Sequence, residues 1–222
     1  MENELDSFID NTDQESHLDP SVTEGNLIVS ILTKPTATIR FLLHLNTEKH
    51  VLLLFFLAAV RNAFDQVLEK VDFTTGSDYQ IGYIVGGVIG GGLFGVVLYY
   101  LYASLMAAFG RWVFNGSGTS SQFRVVLAWS VIPVLFGFAL YIPQYFLTSA
   151  EFVTESEYLG SILLMLVGVA QLTLAIWSIV IMVKGTQVVQ RFDGWKAFFN
   201  VILPGILFIV IIVAIAMSFT LF

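Results

Sequence analysis

Apolar positions run unbroken through four stretches of the chain, Ile81–Phe109, Val125–Leu147, Tyr158–Val183 and Ala197–Phe222, none of which holds Asp, Glu, Lys or Arg. Each exceeds the ~20 residues that carry a helix across a ~30 Å hydrocarbon layer. A fifth run starts at Val51 but meets Arg61 and Asp65 after ten apolar positions. Unbroken runs point to helices, whose backbone hydrogen bonds close internally, rather than to the alternating strands of a barrel. The pattern predicts an all-α polytopic membrane protein with five transmembrane helices in one bundle, at about 49–70, 81–109, 125–147, 158–183 and 197–222.

Ahead of the first span, residues 26–46 are too interrupted to cross. On a 100° wheel Leu27, Ile28, Ile31, Leu32, Ile39, Leu42 and Leu43 gather on one side, and Ser30, Lys34, Thr36, Arg40 and His44 on the other. This is the pattern of an amphipathic segment lying in the membrane interface. Pro35 disfavours helical geometry at Lys34, so one short helix ends there and another begins. Lys34 and Arg40 then face anionic lipid headgroups.

Charge changes the picture at the N-terminus and in the loops. The net charge of −7 is concentrated in residues 1–25, where eight acidic residues stand with no Lys or Arg. That segment is too poor in apolar residues to offset ordering and reads as a disordered cytoplasmic tail before a membrane domain over 26–222. It lacks the basic start and apolar stretch of a cleavable signal. Lys34, Arg40 and Lys49 precede the first span, Arg111 and Arg124 separate the second and third, and Lys184, Arg191 and Lys196 separate the fourth and fifth. The remaining two connections are acidic, with Glu69, Asp72 and Asp78 around Lys70, then Glu151, Glu155 and Glu157. Since Lys and Arg mark cytoplasmic loops, the N-terminus is expected in the cytoplasm and the C-terminus outside it.

The second span carries two small-residue ridges, Gly82/Gly86/Gly90 and Gly87/Gly91/Gly95. Glycine inside a helix is costly unless it lets another backbone approach, so this helix is expected centrally, packed on two neighbours or on a second copy of the chain. Spans three and five share an aromatic–basic pair, Phe123-Arg124 and Trp195-Lys196, followed by Pro133 and Pro204. This suggests that spans two-three and four-five are parallel pseudo-repeats.

Candidate chemistry is sparse. Arg61 falls near the bilayer midplane, where an uncompensated charge costs ~2.5–3.5 kcal/mol on insertion scales. Asp65 is one turn on and can neutralise it. Asn62, Gln66 and Glu69 widen that face into a polar arc, which fits either a structural pair or a polar cavity for solute passage. Gln171 and Asn200 stand alone in their spans and suit interhelical hydrogen bonds. His17, His44 and His50 lack metal-ligand spacing, the chain has no cysteine, and Asn115-Gly116-Ser117-Gly118 follows no strand. No metal, cofactor, catalytic group or nucleic-acid partner is expected, and no enzyme activity. Partners are the bilayer, anionic lipids included, and a further copy or another membrane protein.

Leu32-Thr33-Lys34-Pro35-Thr36-Ala37-Thr38, Arg61-Asn62-Ala63-Phe64-Asp65 and Ala128-Trp129-Ser130-Val131-Ile132-Pro133, with the glycine-rich second span, occur in an order that resembles the Yip1 family of five-span membrane proteins. The resemblance covers roughly residues 30–220. It implies a cytosolic N-terminus, an extracytoplasmic C-terminus and a non-enzymatic adaptor or trafficking role. Eukaryotic members of that family bind Rab GTPases in vesicle traffic. This chain lacks their Asp-Leu-Tyr-Gly-Pro signature and has Trp129-Ser130 where Gly-Tyr-Ser often occurs, so it resembles the prokaryotic branch and implies the cytoplasmic membrane. A small transporter or channel built on Arg61 and Asp65 is the other reading.

Overall fold

A computed structural model describes residues 18–45, 48, 50–68, 78–147 and 150–220, which form helices joined by short turns. After a single 3-10 turn at Glu24–Asn26 come α1 (Leu27–Thr33) and α2 (Pro35–His44). The long elements follow as α3 (Val51–Leu68), α4 (Asp78–Phe114), α8 (Ala150–Gln190) and α9 (Gly194–Thr220). Between α4 and α8 lie α5 (Ser120–Ser130), α6 (Ile132–Phe136), a 3-10 segment at Gly137–Leu140, and α7 (Tyr141–Leu147).

Among the described residues, three helical stretches are long and apolar enough to cross a membrane: Val85–Phe114, Ser120–Gln144 and Tyr158–Gln190. Val51–Phe64 and Gly194–Leu207 form shorter apolar helices. The chain is thus an integral membrane protein of all-α architecture. The acidic connection expected between the third and fourth spans is shorter than the charges suggested. Residues 150–157 already belong to α8, which also carries Lys184 and runs on to Gln190. Nothing in 150–157 breaks a helix, so charge marks the membrane edge there but not the helix end.

Pro35 acts as its sequence predicts. α1 stops at Thr33, Lys34 leaves the helical region at φ −133°, ψ 59°, and Pro35 opens α2 where its missing N–H costs nothing. The wheel drawn through both helices does not survive that break. Ile31, Ile39 and Leu42 are buried, yet Ser30 and Thr38 are buried with them while Ile28 is half exposed. A residue outside helical geometry shifts the phase of everything after it. The two helices do not simply float on lipid; α2 packs against α8 and α5, α1 packs against α6, and the Trp177 indole N–H of α8 donates to the Leu32 carbonyl of α1 at 3.1 Å.

The packing centre is Ser120–Gln144, the stretch expected as the third span and called so below, rather than the glycine-rich stretch expected as the second. In the most apolar window of Ser120–Gln144, 56% of the residues are buried, against 22% for Val85–Phe114 and 11% for Tyr158–Gln190. From Phe123 through Pro133 almost every side chain is enclosed, because α2, α3, α4 and α8 all touch this helix. The helix breaks after Ser130, and Pro133 sits in the first turn of α6. At the break the Ser130 carbonyl accepts the Ser178 hydroxyl of α8 at 2.6 Å. A polar backbone group freed by the break is thereby satisfied inside the bundle, as an apolar surrounding requires.

Both hairpins, α4–α5 and α8–α9, turn on a left-handed residue just past the first helix, Asn115 (φ 56°) and Arg191 (φ 57°). In the first hairpin the Gly116 N–H reaches back to the Gly110 carbonyl at 2.8 Å. Thr119 and Gln122 then cap α5 reciprocally. The likeness stops at the paired aromatics: Phe123 is fully buried, whereas Trp195 is exposed and stacks on Phe198.

Candidate functional site

Of the polar arc on α3, Arg61 faces the distal half of the third span and Asn62 faces α4. The Arg61 guanidinium lies 5.8 Å from the centroid of the Tyr141 ring, within cation–π range. Gly137 lies beside it, where a Cβ would make ordinary contact with Arg61 Nη2 at 3.6 Å. Phe64 packs edge-on against Tyr141 at 5.8 Å and tilts against Phe138 at 6.4 Å, so the cation is flanked by aromatic rings. The Tyr141 hydroxyl is buried without a hydrogen-bond partner among the described residues. Asn62 directs its amide at the Tyr99 hydroxyl at 3.5 Å, a long contact, and Tyr99 stacks on Phe55 at 4.9 Å. Asp65 and Gln66 belong to α3, but their side chains lie outside the described residues, as does Glu69 altogether.

Gln171 is not isolated. Its amide donates to Gln144 Oε1 at 3.1 Å, one turn beyond Tyr141. Arg61, Tyr141, Gln144 and Gln171 therefore bring polar groups from three separate helices to one region. Tyr141 and Gln144 carried no distinguishing spacing in the sequence; only the partner helix reveals them.

The glycine ridges divide sharply. A Cβ at Gly95 would stand 2.4 Å from Ala59 Cβ, and one at Gly91 would stand 2.6 Å from Ala63 Cβ. Gly92 faces Val60 and Phe56 almost as closely. Gly87 shares the Gly91 and Gly95 face by its spacing. Gly82, Gly86 and Gly90 have no described atom within 4 Å of the corresponding position.

A second polar cluster forms where α4, α8 and α9 meet. Gln190 Oε1 accepts the Gly118 N–H at 2.9 Å, tying the end of α8 to the first hairpin turn. Any Cβ at Gly110 would fall 1.8 Å from Gln190 Nε2, and any at Gly116 would fall 1.9 Å from Gln190 Oε1. The glutamine is clasped by backbone that only glycine leaves open. Beside it Asn200 is fully enclosed, and neither of its amide atoms has a hydrogen-bond partner among the described residues. Nearby, the Tyr102 hydroxyl donates to the Val201 carbonyl at 2.6 Å. Pro204 inside α9 has no N–H to offer the Asn200 carbonyl, one residue before Val201, so the ladder is interrupted at this turn. Gln190 escaped the sequence reading because its neighbours are contributed by segments about 72 residues away.

At the start of the described chain, Lys34 Nζ donates to Asp19 Oδ2 at 2.9 Å and to Ser21 Oγ at 2.8 Å. The Ser21 hydroxyl and then Lys34 hold the Asp19 carboxyl well below the usual carboxylate range. Lys34, expected to face lipid headgroups, thus has an intramolecular partner, while Arg40 is exposed. Residues 18–25 of the acidic segment fold back over α1, and 1–17 lie outside the described residues. Closer to the bundle, Glu48 accepts Arg124 Nε at 3.1 Å and the Ser121 hydroxyl at 2.6 Å. Arg124 in turn lies over the Tyr100 ring. These bonds, Arg124's first and Ser121's second, lower the Glu48 carboxyl. Among the described residues no group of His, Asp or Glu could hold a metal ion.

Among curated proteins and among solved structures none matches this chain. The model of the Yip1 domain matches residues 29–215, from the first turn of α1 into the last turns of α9, and the chain therefore belongs to the Yip1 domain family.

Proposed function

We propose that this Yip1-domain protein crosses the membrane five times, N-terminus in the cytoplasm, and acts as a non-enzymatic adaptor or membrane organiser through its cytoplasmic face and by self-association. The observation that carries the reading is the folding of α1 and α2 onto the bundle. Ile31, Ile39 and Leu42 are buried there, which gives the segment before the first span a fixed surface rather than a loose tether. Exposed Trp112 and Trp195 at one end and Tyr158 at the other suit the two headgroup belts and support the placement. Family members are in general non-enzymatic membrane proteins, which favours an organising role over catalysis.

The adaptor reading is tested by in-membrane cross-linking and affinity capture with and without residues 1–46. Loss of a captured partner supports it, and an unchanged set of partners counts against it. For the topology, a reporter after Phe222 should be active only outside the cytoplasm; a cytoplasmic signal would overturn the five-span arrangement.

A transporter or channel reading is favoured by one observation, the convergence of Arg61, Tyr141, Gln144 and Gln171 from three helices. On that reading Asp65→Asn abolishes solute flux in reconstituted vesicles while the protein still accumulates. Failure to accumulate instead would assign the arc to helix packing.

A further inference from the structure

The turns of the two hairpins, residues 115–119 and 191–193, meet at one end of the bundle. Phe114 and Phe192 pack edge-on at 5.8 Å, and the Gly118 N–H donates to Gln190 Oε1 at 2.9 Å, so the two turns form one edge. Three cations stand on it: Arg111 in the last turn of α4, Arg191 in the second turn, and Lys196 in the first turn of α9. All three are exposed, and none has a partner for its side chain among the described residues. Lys34 and Arg124, by contrast, are held by Asp19 and Glu48. The Asp193 carboxylate of the second turn is engaged with backbone, accepting the Lys196 N–H at 3.3 Å.

Arg191 adds a second observation. Its φ of 57° lies in the left-handed region, where a Cβ is penalised and glycine or asparagine is usual. Asn115 fills the corresponding place in the first turn. An arginine there costs backbone energy, and its guanidinium bonds to no described group of the fold in return. Strain of this kind at an exposed cation points to a use for the side chain outside the fold. Two tryptophans identify the medium. Trp112, beside Arg111, is 81% exposed, and Trp195, beside Lys196, is 68% exposed. Indole rings standing out from the ends of apolar spans sit at headgroup level, so the adjoining cations meet lipid phosphates.

We infer that the joined tips of the α4–α5 and α8–α9 hairpins bind the headgroup of an anionic phospholipid. Arg111, Arg191 and Lys196 donate to its phosphate, and Trp112 and Trp195 flank its glycerol region. The anionic-lipid contact expected at Lys34 thus moves to a surface whose cations are unengaged. The site requires only that Val85–Phe114 and Tyr158–Gln190 cross the membrane, and it holds whichever way the chain faces. It therefore stands apart from the adaptor reading.

The two tryptophans serve as the probe. The full chain is placed in phosphatidylcholine vesicles holding a small share of phosphatidylglycerol, with one lipid or the other brominated on its acyl chains, and tryptophan fluorescence is read. Brominated phosphatidylglycerol should quench more than the same amount of brominated phosphatidylcholine, corresponding to an affinity about tenfold higher. The excess should vanish in the Trp112→Phe/Trp195→Phe double variant. Arg191→Gly should lower the preference about fivefold, the contribution of one cation beside an anionic surface. Its unfolding in an uncharged detergent should be no easier than the parent's, because glycine adopts left-handed geometry freely. Arg191→Lys should keep most of the preference, and Lys34→Gln should leave it unchanged. Equal quenching by the two lipids would overturn the assignment. So would a Lys34→Gln loss as large as that of Arg191→Gly, which would reduce the effect to net charge, or an Arg191→Gly protein that unfolds more easily. A preference that appears only after residues 1–17 are deleted would place their six carboxylates on the tips instead of lipid, and would overturn it as well.

Discussion

Two faces of one helix, α4, carry the same residue at the same spacing and do opposite things. The Gly87/Gly91/Gly95 face is pressed onto α3, where alanines at 59 and 63 stand so close that no Cβ fits at Gly91 or Gly95. The Gly82/Gly86/Gly90 face meets no described atom of its own chain. Glycine spacing alone therefore does not signal a close approach; a neighbouring element must lie against that face. α3 supplies Ala59 and Ala63 one turn apart, in register with Gly95 and Gly91. The contact between α3 and α4 is accordingly the most extensive in the fold. No described atom covers that ridge, and it is the surface on which the self-association proposed above would rest.

The largest effect should come from forcing the closed face. Gly95→Leu must push aside Ala59, including its backbone at 3.3 Å, and should cost about 3 kcal/mol in unfolding by mild detergent titration. A loss under a third of that would show that α3 and α4 separate easily. Second in size is the Gln190 clasp. Gly110→Ala displaces the glutamine amide and its bond to Gly118, with an expected loss of about 2 kcal/mol. Pairing Gly95→Ala with Ala59→Gly should recover about 1 kcal/mol relative to the sum of the singles. Purely additive singles would mean the two positions do not press on each other.

Gly86→Leu should leave unfolding within about 0.5 kcal/mol of the parent while abolishing energy transfer between labelled copies in vesicles. A Gly86→Leu protein as unstable as Gly95→Leu would erase the contrast between the faces. Smallest is a change away from both. Glu48 titrates lower in the fold than unfolded, so its link to Arg124 is complete at neutral pH and fades as pH falls through that lowered value. Glu48→Gln should cost under about 1 kcal/mol at pH 7, because the pair is partly exposed, and should flatten the acid-side decline.

Hydrophobic runs and prolines were legible because each acts locally. The described residues of the four clean runs lie almost wholly in helices, and Pro35 divides α1 from α2. Arg61 was legible as an anomaly, but its neighbour Tyr141 was not, since an apolar run conceals which aromatic faces a cation. Nor could the sequence rank the spans by burial: α5 looks no more apolar than α8, yet four helices converge on it. Gln190 and Asn200 depend on glycine gaps contributed by distant segments, and no local spacing encodes that.

The four-residue 3-10 segment at Gly137–Leu140 has a consequence for anyone mapping this protein by scanning its third span. A 3-10 residue turns about 120° where an α-residue turns about 100°, so the segment adds about 80° of rotation by Tyr141. Side chains beyond Leu140 are therefore a fifth of a revolution out of step with those before Gly137. A labelling or cysteine scan that assumes one continuous helix would assign Tyr141 and Gln144 to the wrong azimuth. Two separate periodicities, fitted on either side of that joint, should describe such data where one cannot.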